Sequence, residues 1–354
     1  MTIKELISNP SPTPYAHVCS LSESPDGEVF ATWQGGTSEK APDSSIWSSR
    51  RGFSKSSKWS APQKIVEITA PYPTCVMNAV QWRDISNMVS PICDHISLVF
   101  HMGGGSDGYC DIQQWVPYVA RSVDAGLNWW IEPLEQFEPG VGLMGPVKNQ
   151  CLKLSNGEVL CPSSTETSEM DTAHFETTDI TMTHWTKRSD IKVESEDRSS
   201  CNDMVQPVIF EKASAPGSLY ALFRTDCGSL ASASSPDYGH TWPAEASVVP
   251  ALTSTSAGLD GVVLETMKDG SWLIAWNNST VGRTPLTLAT SDDEGESWQH
   301  LIDLETDPNG SFAYPYLLES KWQRGERGET VVHLCYSFSN ATVETMAYAR
   351  IEFL

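Results

Sequence analysis

Ser122-x-Asp124-x-Gly126-x-x-Trp129, Ser235-x-Asp237-x-Gly239-x-x-Trp242 and Ser291-x-Asp293-x-Gly295-x-x-Trp298 are three copies of one eight-residue pattern, and their reading decides the fold. Each copy demands a tight turn. The Asp carboxylate accepts hydrogen bonds from the turn's own amides, the Gly takes a backbone conformation that strains other residues, and the Trp packs the turn onto a sheet. Two worn copies extend the series: one ends at Trp59 in Lys58-Trp59-Ser60-Ala61-Pro62, and one runs from Thr177 and Asp179 to Trp185 with one residue too many. The five tryptophans stand 70, 56, 57 and 56 residues apart, a period that marks a repeat protein.

Four glycine turns, Asp26-Gly27, Asn156-Gly157, Pro216-Gly217 and Asp269-Gly270, each precede the next of these tryptophans by 25 to 32 residues. Each sits between apolar-alternating runs, such as Val147 to Leu154 and Glu158 to Cys161, which is a hairpin signal. A unit therefore reads as strand, Gly turn, strand, loop, strand, Ser-x-Asp turn, strand: one four-stranded blade. Five such blades reach about residue 300, and Ser311 to Leu317, Thr330 to Ser337 and Thr342 to Phe353 supply a sixth that lacks the motif. No window of 12 or more residues sustains a 3.6-residue apolar period, which sets aside a helical solenoid. The expectation is an all-β chain forming one six-bladed β-propeller domain over residues 1–354, its sixth blade closed by pairing between the two chain ends.

The formal net charge of -22 argues against a nucleic-acid partner, which needs a basic face to displace counterions. Residues 1–20 hold no apolar leader and no stretch approaches the roughly 18 apolar residues of a membrane span, so the chain reads as cytoplasmic with no membrane partner, or as secreted if a leader has been trimmed. Nine cysteines leave at least one without a disulfide partner, and none has zinc-ligand spacing. Asn277, Asn278, Asn309 and Asn340 each open a glycosylation sequon. No cofactor is called for: Gly103-Gly104-Gly105 leads into Ser106-Asp107-Gly108 with no helix to follow, and no loop gathers the oxygen ligands of a calcium site. Composition carries no sign of oligomeric state.

In a propeller the first strand of each blade runs along the axis, and the strand ends line a pocket at one mouth. Those strands are expected at about 15–21, 72–80, 145–154, 201–210, 256–264 and 311–318. Near their starts stand Tyr15, His17, Tyr72, Lys148, Asn149, Asn202, Asp203, Gln206, Asp260, Tyr314 and Tyr316. Such a ring either binds a ligand or satisfies itself with channel waters.

These positions and the turn series resemble the sialidase superfamily, in particular its BNR-repeat branch, whose fold is a six-bladed β-propeller with Asp boxes. The likeness covers nearly the whole chain. Gly35-Gly36-x-x-Glu39-x-x-Pro42-Asp43-x-x-Ile46-Trp47, Gly145-Pro146-Val147-Lys148-Asn149, Ser163-Ser164-Thr165-Glu166 and Arg283-x-Pro285-Leu286 look like signatures of that branch. Sialidases hold a sugar carboxylate with three arginines, use an Asp as acid/base and use a Tyr activated by a Glu as nucleophile. By that resemblance Arg224, in Phe223-Arg224-Thr225-Asp226, stands as the second arginine and Arg283 as the third; Tyr314 is placed like the nucleophile and Asp43 like the acid/base.

The departures matter as much. The first arginine's segment reads Tyr15-Ala16-His17-Val18-Cys19, with His17 in its place, and the fourth first strand offers Asn202-Asp203 and Gln206-Pro207 where the activating Glu is expected. A clamp of two arginines and a neutral His lacks one charge-assisted contact, and a tyrosine without a carboxylate to take its proton is a poor nucleophile at neutral pH. What the pocket gains is imidazole and ammonium: His17, His101, His174 in Ala173-His174-Phe175-Glu176, and Lys148, groups suited to proton transfer. Three functions stay open. One is a glycosidase-like enzyme acting on a small-molecule or glycan-end substrate, with Asp43 as acid, Tyr314 or Glu166 opposite, and Arg224 and Arg283 gripping an acidic or hydroxyl-rich sugar. The second is a non-hydrolytic catalyst, an isomerase, lyase or cyclase, built from His17, Lys148, Tyr314 and the arginines. The third is a binding propeller without turnover. Asn149, Gln206, His174, Asp260 and Tyr316 complete the candidate substrate contacts.

Overall fold

The computed structural model describes residues 2–67, 75–83, 94–103, 115–134, 143–167, 170–193, 201, 203–254, 257–264 and 270–353. Tyr72, Asn202, Asp269 and the glycine-rich residues 104–108 lie outside them. The described strands form six sheets, the blades of a six-bladed β-propeller, with no helix among the described residues. Blade one runs Tyr15–Glu23, Val29–Gly36, Ser45–Arg51 and Gln63–Val66; blade two runs Cys75–Trp82, Ile96–Gly103, Val116–Ser122 and Trp130–Pro133. Blade three is Leu152–Lys153, Val159–Thr165, Thr172–Thr178 and Trp185–Lys187, and blade four is Met204–Glu211, Leu219–Thr225, Ser229–Ser235 and Glu245–Thr253. Blade five is Asp260–Val263, Trp272–Trp276, Leu286–Ser291 and Gln299–Glu305. Blade six takes Ser311–Arg324, Thr330–Ser339 and Glu344–Phe353, and Thr2–Leu6 pairs antiparallel with the last of these, so the two chain ends close it. Blade four gains a fifth strand, Lys192–Val193, parallel to Glu245 and Ala246. The chain divides into two compact units: Met1–Leu134 with Tyr316–Leu354, and Glu135–Pro315.

The Ser-x-Asp turns hold as their chemistry requires. Ser122 Oγ donates to Asp124 Oδ1 at 2.8 Å and accepts from the Gly126 amide at 2.8 Å, while Asp124 Oδ1 takes the Asn128 amide at 2.9 Å. The residue before each glycine, Ala125, Tyr238 or Glu294, shares the glycine's left-handed conformation. In the worn copy Met182 adopts that conformation at φ 57°, and Trp185 Nε1 donates to its carbonyl at 3.2 Å, as Trp129 Nε1 does to Gly126 O at 3.0 Å. The tryptophans reach beyond their own sheets. Trp129 stacks on Phe30 of blade one, Trp242 on Phe175 of blade three at 4.4 Å, Trp298 lies by Phe210 of blade four, and Trp59 meets Tyr348 of blade six edge-on. Each of these four rings stitches its blade to the one before it.

Hydrogen bonds from the turn hold the Asp124 carboxyl down to about 2 and lower those of Asp237 and Asp293 as well, with partial desolvation opposing. For depressed carboxyls the stabilisation is present above the ordinary carboxylate range and is lost as pH falls through the folded values. Acid unfolding should therefore steepen below about pH 4. Asp124→Ala and Asp237→Ala should lower the thermal midpoint at pH 7 and flatten that acid limb. Variants with an unchanged midpoint would show that the turns do not use their carboxylates.

A second repeated feature positions the site. Val18, Asn78, Lys148, Gln206 and Tyr314, one in or just before the first strand of five blades, all have left-handed backbones, with φ between 44° and 68°. In blades one, two and four the ladder register slips there, between His17 and Cys19, Met77 and Val80, and Val205 and Val208. A bulge of this kind re-aims side chains across the strand. It also shortens the expected strand at 145–154 to Leu152–Lys153, because Asn149 donates its amide back to Val147 O at 2.8 Å and the chain turns instead of pairing.

Candidate functional site

The Glu135–Pro315 unit gathers Arg224, Gln206, Arg283 and Tyr314. Arg224 sits opposite Val205 on the hairpin of Met204–Glu211 and Leu219–Thr225. The bulge at Gln206 turns that residue so that its Oε1 accepts from Arg224 Nη1 at 3.1 Å, and the same nitrogen lies 3.4 Å from the Tyr314 hydroxyl. The hairpin's open end is closed by the Cys201–Cys227 disulfide and by Asp226 donating its amide to Asp203 O at 3.3 Å. Arg283 comes from another blade. Asn277 donates from Nδ2 to Pro285 O at 3.0 Å and to Phe312 O at 2.8 Å, and the Phe312 amide donates to Arg283 O at 2.9 Å, so the arginine loop is pinned to the strand that carries Tyr314. The two guanidinium carbons stand 5.9 Å (Arg224) and 5.2 Å (Arg283) from the centre of the Tyr314 ring. Among the described residues Arg283 forms no ion pair.

Tyr314 is buried apart from a small remnant, and it depends on a glycine. A Cβ on Gly258 would meet Tyr314 Cδ1 at 2.9 Å and Cα at 3.1 Å, so no larger residue fits without moving the tyrosine. Nearby is a carboxyl that sequence reasoning missed. Asp171, half-buried before strand Thr172–Thr178, is pushed up by burial and by the charges of Asp203 and Asp226, against the pull of the Thr167 amide and of Arg224. In the sequence Asp171 is one acidic residue among many; the charges around it, those of Asp203, Arg224 and Asp226, come from residues more than 30 positions away.

Lys148 and Asn149 belong to the same unit as buried ties. Lys148 is fully buried and donates from Nζ to Leu259 O at 2.5 Å and Pro315 O at 2.6 Å, the residues adjoining Gly258 and Tyr314. Asn149 Nδ2 donates to Gln206 O at 2.8 Å and Pro207 O at 3.0 Å. His174, expected as a substrate contact, is wholly enclosed on its strand, with Nε2 2.9 Å from Glu176 Oε1. Glu176 in turn accepts the amides of Met144 and Gly145, each at 2.7 Å, so the pair anchors the segment leading to Lys148. Asp260 is fully buried at the start of its strand, and Glu166 is half-buried just past Thr165.

Other candidates fall in the unit formed by Met1–Leu134 and Tyr316–Leu354. Tyr316 is buried in an apolar cluster with Trp33, Cys19 and Tyr348, so it is a core residue and not a substrate contact. Period-two alternation puts residues 314 and 316 on one face, and the left-handed Tyr314 breaks that alternation. His17 is buried against the Tyr15 ring at 5.1 Å, and His101 stacks on Trp115. Asp43 is exposed and accepts from the Thr37 amide at 3.0 Å and from the Thr37 hydroxyl, which together hold its carboxyl below the ordinary range. A carboxyl held down in this way suits a base or a turn cap better than a proton donor. Asn277 cannot accept a glycan, because its side chain is wholly buried.

A family model described as a BNR repeat-like domain matches residues 27–325. No curated protein matches. Among solved structures the chain is similar to a protein of unknown function from Dyadobacter fermentans, at 15% identity over 99% of this chain and 98% of that one, with a TM-score of 0.68. It is also similar to Trypanosoma rangeli sialidase, at 13% identity over 99% of this chain and 59% of that one, with a TM-score of 0.71. NanB sialidase from Streptococcus pneumoniae shares 14% identity over 97% of this chain and 69% of that one, with a TM-score of 0.66. At these identities the structural likeness speaks to the fold alone.

Proposed function

The chain belongs to the BNR repeat-like domain family, and from that membership and the geometry of the Glu135–Pro315 unit we propose that it is a glycosidase-like protein gripping an anionic, hydroxyl-rich sugar end between Arg224 and Arg283, against Tyr314. The observation that carries this reading is the pair of guanidinium groups flanking one tyrosine ring, with Arg283 lacking an ion-pair partner among the described residues. Guanidinium groups match carboxylates through paired N–H donors, and such charge-assisted contacts are about twice as strong as neutral ones.

The site's remaining groups shape what chemistry follows. Gln206 presents a neutral amide oxygen to Arg224 Nη1, where a glutamate would have placed a carboxylate. Asp171, with its raised carboxyl in the field of Arg224, is the group in this unit suited to deliver a proton to a leaving oxygen. The proposed role for Tyr314 is to face the sugar and orient it. With a glutamine at position 206 the reading excludes efficient cleavage of sialosides by the three-arginine, Tyr–Glu route.

Two measurements test it. Calorimetry with glucuronate, N-acetylneuraminate and glucose should show both acids binding at least about tenfold more tightly than the neutral sugar, one charge-assisted contact being sufficient for that ratio. Fluorogenic sialosides should turn over at background. Equal binding of glucose and glucuronate would sink the anionic reading, and robust sialoside cleavage abolished by Tyr314→Phe would overturn the inference drawn from Gln206. Tight acid binding with no turnover across aryl uronides and sialosides would instead favour the non-hydrolytic or purely binding protein.

A further inference from the structure

Cys19 and Cys335 lie 316 positions apart in the chain and meet in the core. Cys19 sits on the first strand of blade one, just past the left-handed Val18, where the register passes from His17 opposite Gln34 to Cys19 opposite Trp33. Cys335 sits on strand Thr330–Ser339 of blade six, opposite Tyr348. Both side chains are fully buried in one apolar cluster with Trp33, Tyr316 and Tyr348, both are reduced, and their thiols hydrogen-bond to each other. Blades one and six are separate sheets with no ladder between them, so side-chain contacts, among them His333 Nε2 at 3.8 Å from Glu23 Oε1, hold these two strands together.

We propose that Cys19 and Cys335 are a disulfide-forming site, a covalent clasp between the first blade and the blade shared by the two chain ends. The step balances simply. The two thiols give up two protons and two electrons to a disulfide oxidant, a thiolate attacks the oxidant's sulfur to form a mixed disulfide, and the second cysteine displaces the remaining thiol. Oxidised glutathione would leave as two molecules of glutathione. The clasp differs in kind from Cys201–Cys227, which closes the end of one hairpin of blade four across 26 residues. A bond between Cys19 and Cys335 closes a loop of most of the chain, and long loops lose the most unfolded-state freedom.

Timing follows from burial. Desolvation and the neighbouring thiol push the Cys335 thiol up, so little thiolate exists in the folded chain, and thiolate is the attacking species. The bond forms while the chain folds, before the cluster closes, and the folded reduced protein resists the same oxidant. A second buried pair, Cys151 and Cys161, also hydrogen-bonded to each other, must be told apart from it.

The test is refolding of the full chain from denaturant in a glutathione redox buffer, followed by alkylation, digestion and mass spectrometry of the linked peptides. The expected result is a Cys19–Cys335 peptide in most molecules and a thermal midpoint about 5 °C or more above that of Cys19→Ala and Cys335→Ala refolded identically. Folded reduced protein in the same buffer should keep both thiols alkylatable after unfolding. If the chain does not refold, protein produced in an oxidising compartment is mapped against protein produced in a reducing one. Free Cys19 and Cys335 after oxidation, linkage of either to another cysteine, or a linked form no more stable than the variants would each overturn the proposal.

Discussion

Arg224→Ala and Arg283→Ala should each weaken glucuronate binding, and lower turnover of any substrate the site processes, by at least about tenfold. Each removes one charge-assisted contact, worth about 1.5 to 3 kcal/mol, and tenfold corresponds to about 1.4 kcal/mol. The two side chains reach the same ring from different blades, so their effects should couple, and the double variant should fall short of the product of the singles. Arg283→Lys is the informative control. It keeps the charge but loses the planar fork, and should recover only part of the affinity. Both arginines are partly exposed, so the gap between wild type and variant should narrow at high salt. Full affinity in both alanine variants would remove the site from this unit.

Glu176→Ala should be the most destabilising of the substitutions considered, by about 3 to 5 kcal/mol in denaturant unfolding. Its carboxylate, itself fully buried, takes the half-buried Met144 amide, the buried Gly145 amide and the fully buried His174 ring. Removing it leaves buried donors unsatisfied, each at a cost of about 1 to 3 kcal/mol, and opens a cavity besides. Glu176→Gln should cost less, because the amide oxygen still accepts one of those bonds. The loosened segment leads to Lys148, whose ammonium joins the carbonyls of Leu259 and Pro315, so glucuronate binding should weaken in Glu176→Gln even where the protein remains folded. A loss below about 1 kcal/mol in the alanine variant would show that the network is incidental.

Much of the architecture is legible because it repeats locally. The Ser-x-Asp turn is settled within eight residues: Ser122, Asp124, Gly126 and Trp129 make their defining contacts with one another, and even the irregular copy at Asp179 reproduces the geometry by placing Met182 in the left-handed position. Blade count and the closing of blade six by the chain ends follow from that period. The partners of the turn tryptophans do not, because Trp242 finds Phe175 and Trp59 finds Tyr348 across distances that no local pattern encodes.

The candidate site divides along the same line. The sequence by itself determined the six-bladed plan and the kinds of side chain available, two arginines and a tyrosine, with Asn202-Asp203 and Gln206-Pro207 where a glutamate was expected, since motif and residue identity are properties of the chain. Only the tertiary structure decided which of them meet. The left-handed residues at Lys148, Gln206 and Tyr314 reset the alternation on which sequence reading depends, placing Tyr316 in the core and Gln206 against Arg224. Burial then assigned the rest, enclosing His174 and Lys148 with partners as far as 167 positions away, because a buried ammonium or imidazole takes whatever acceptors the folded blades present.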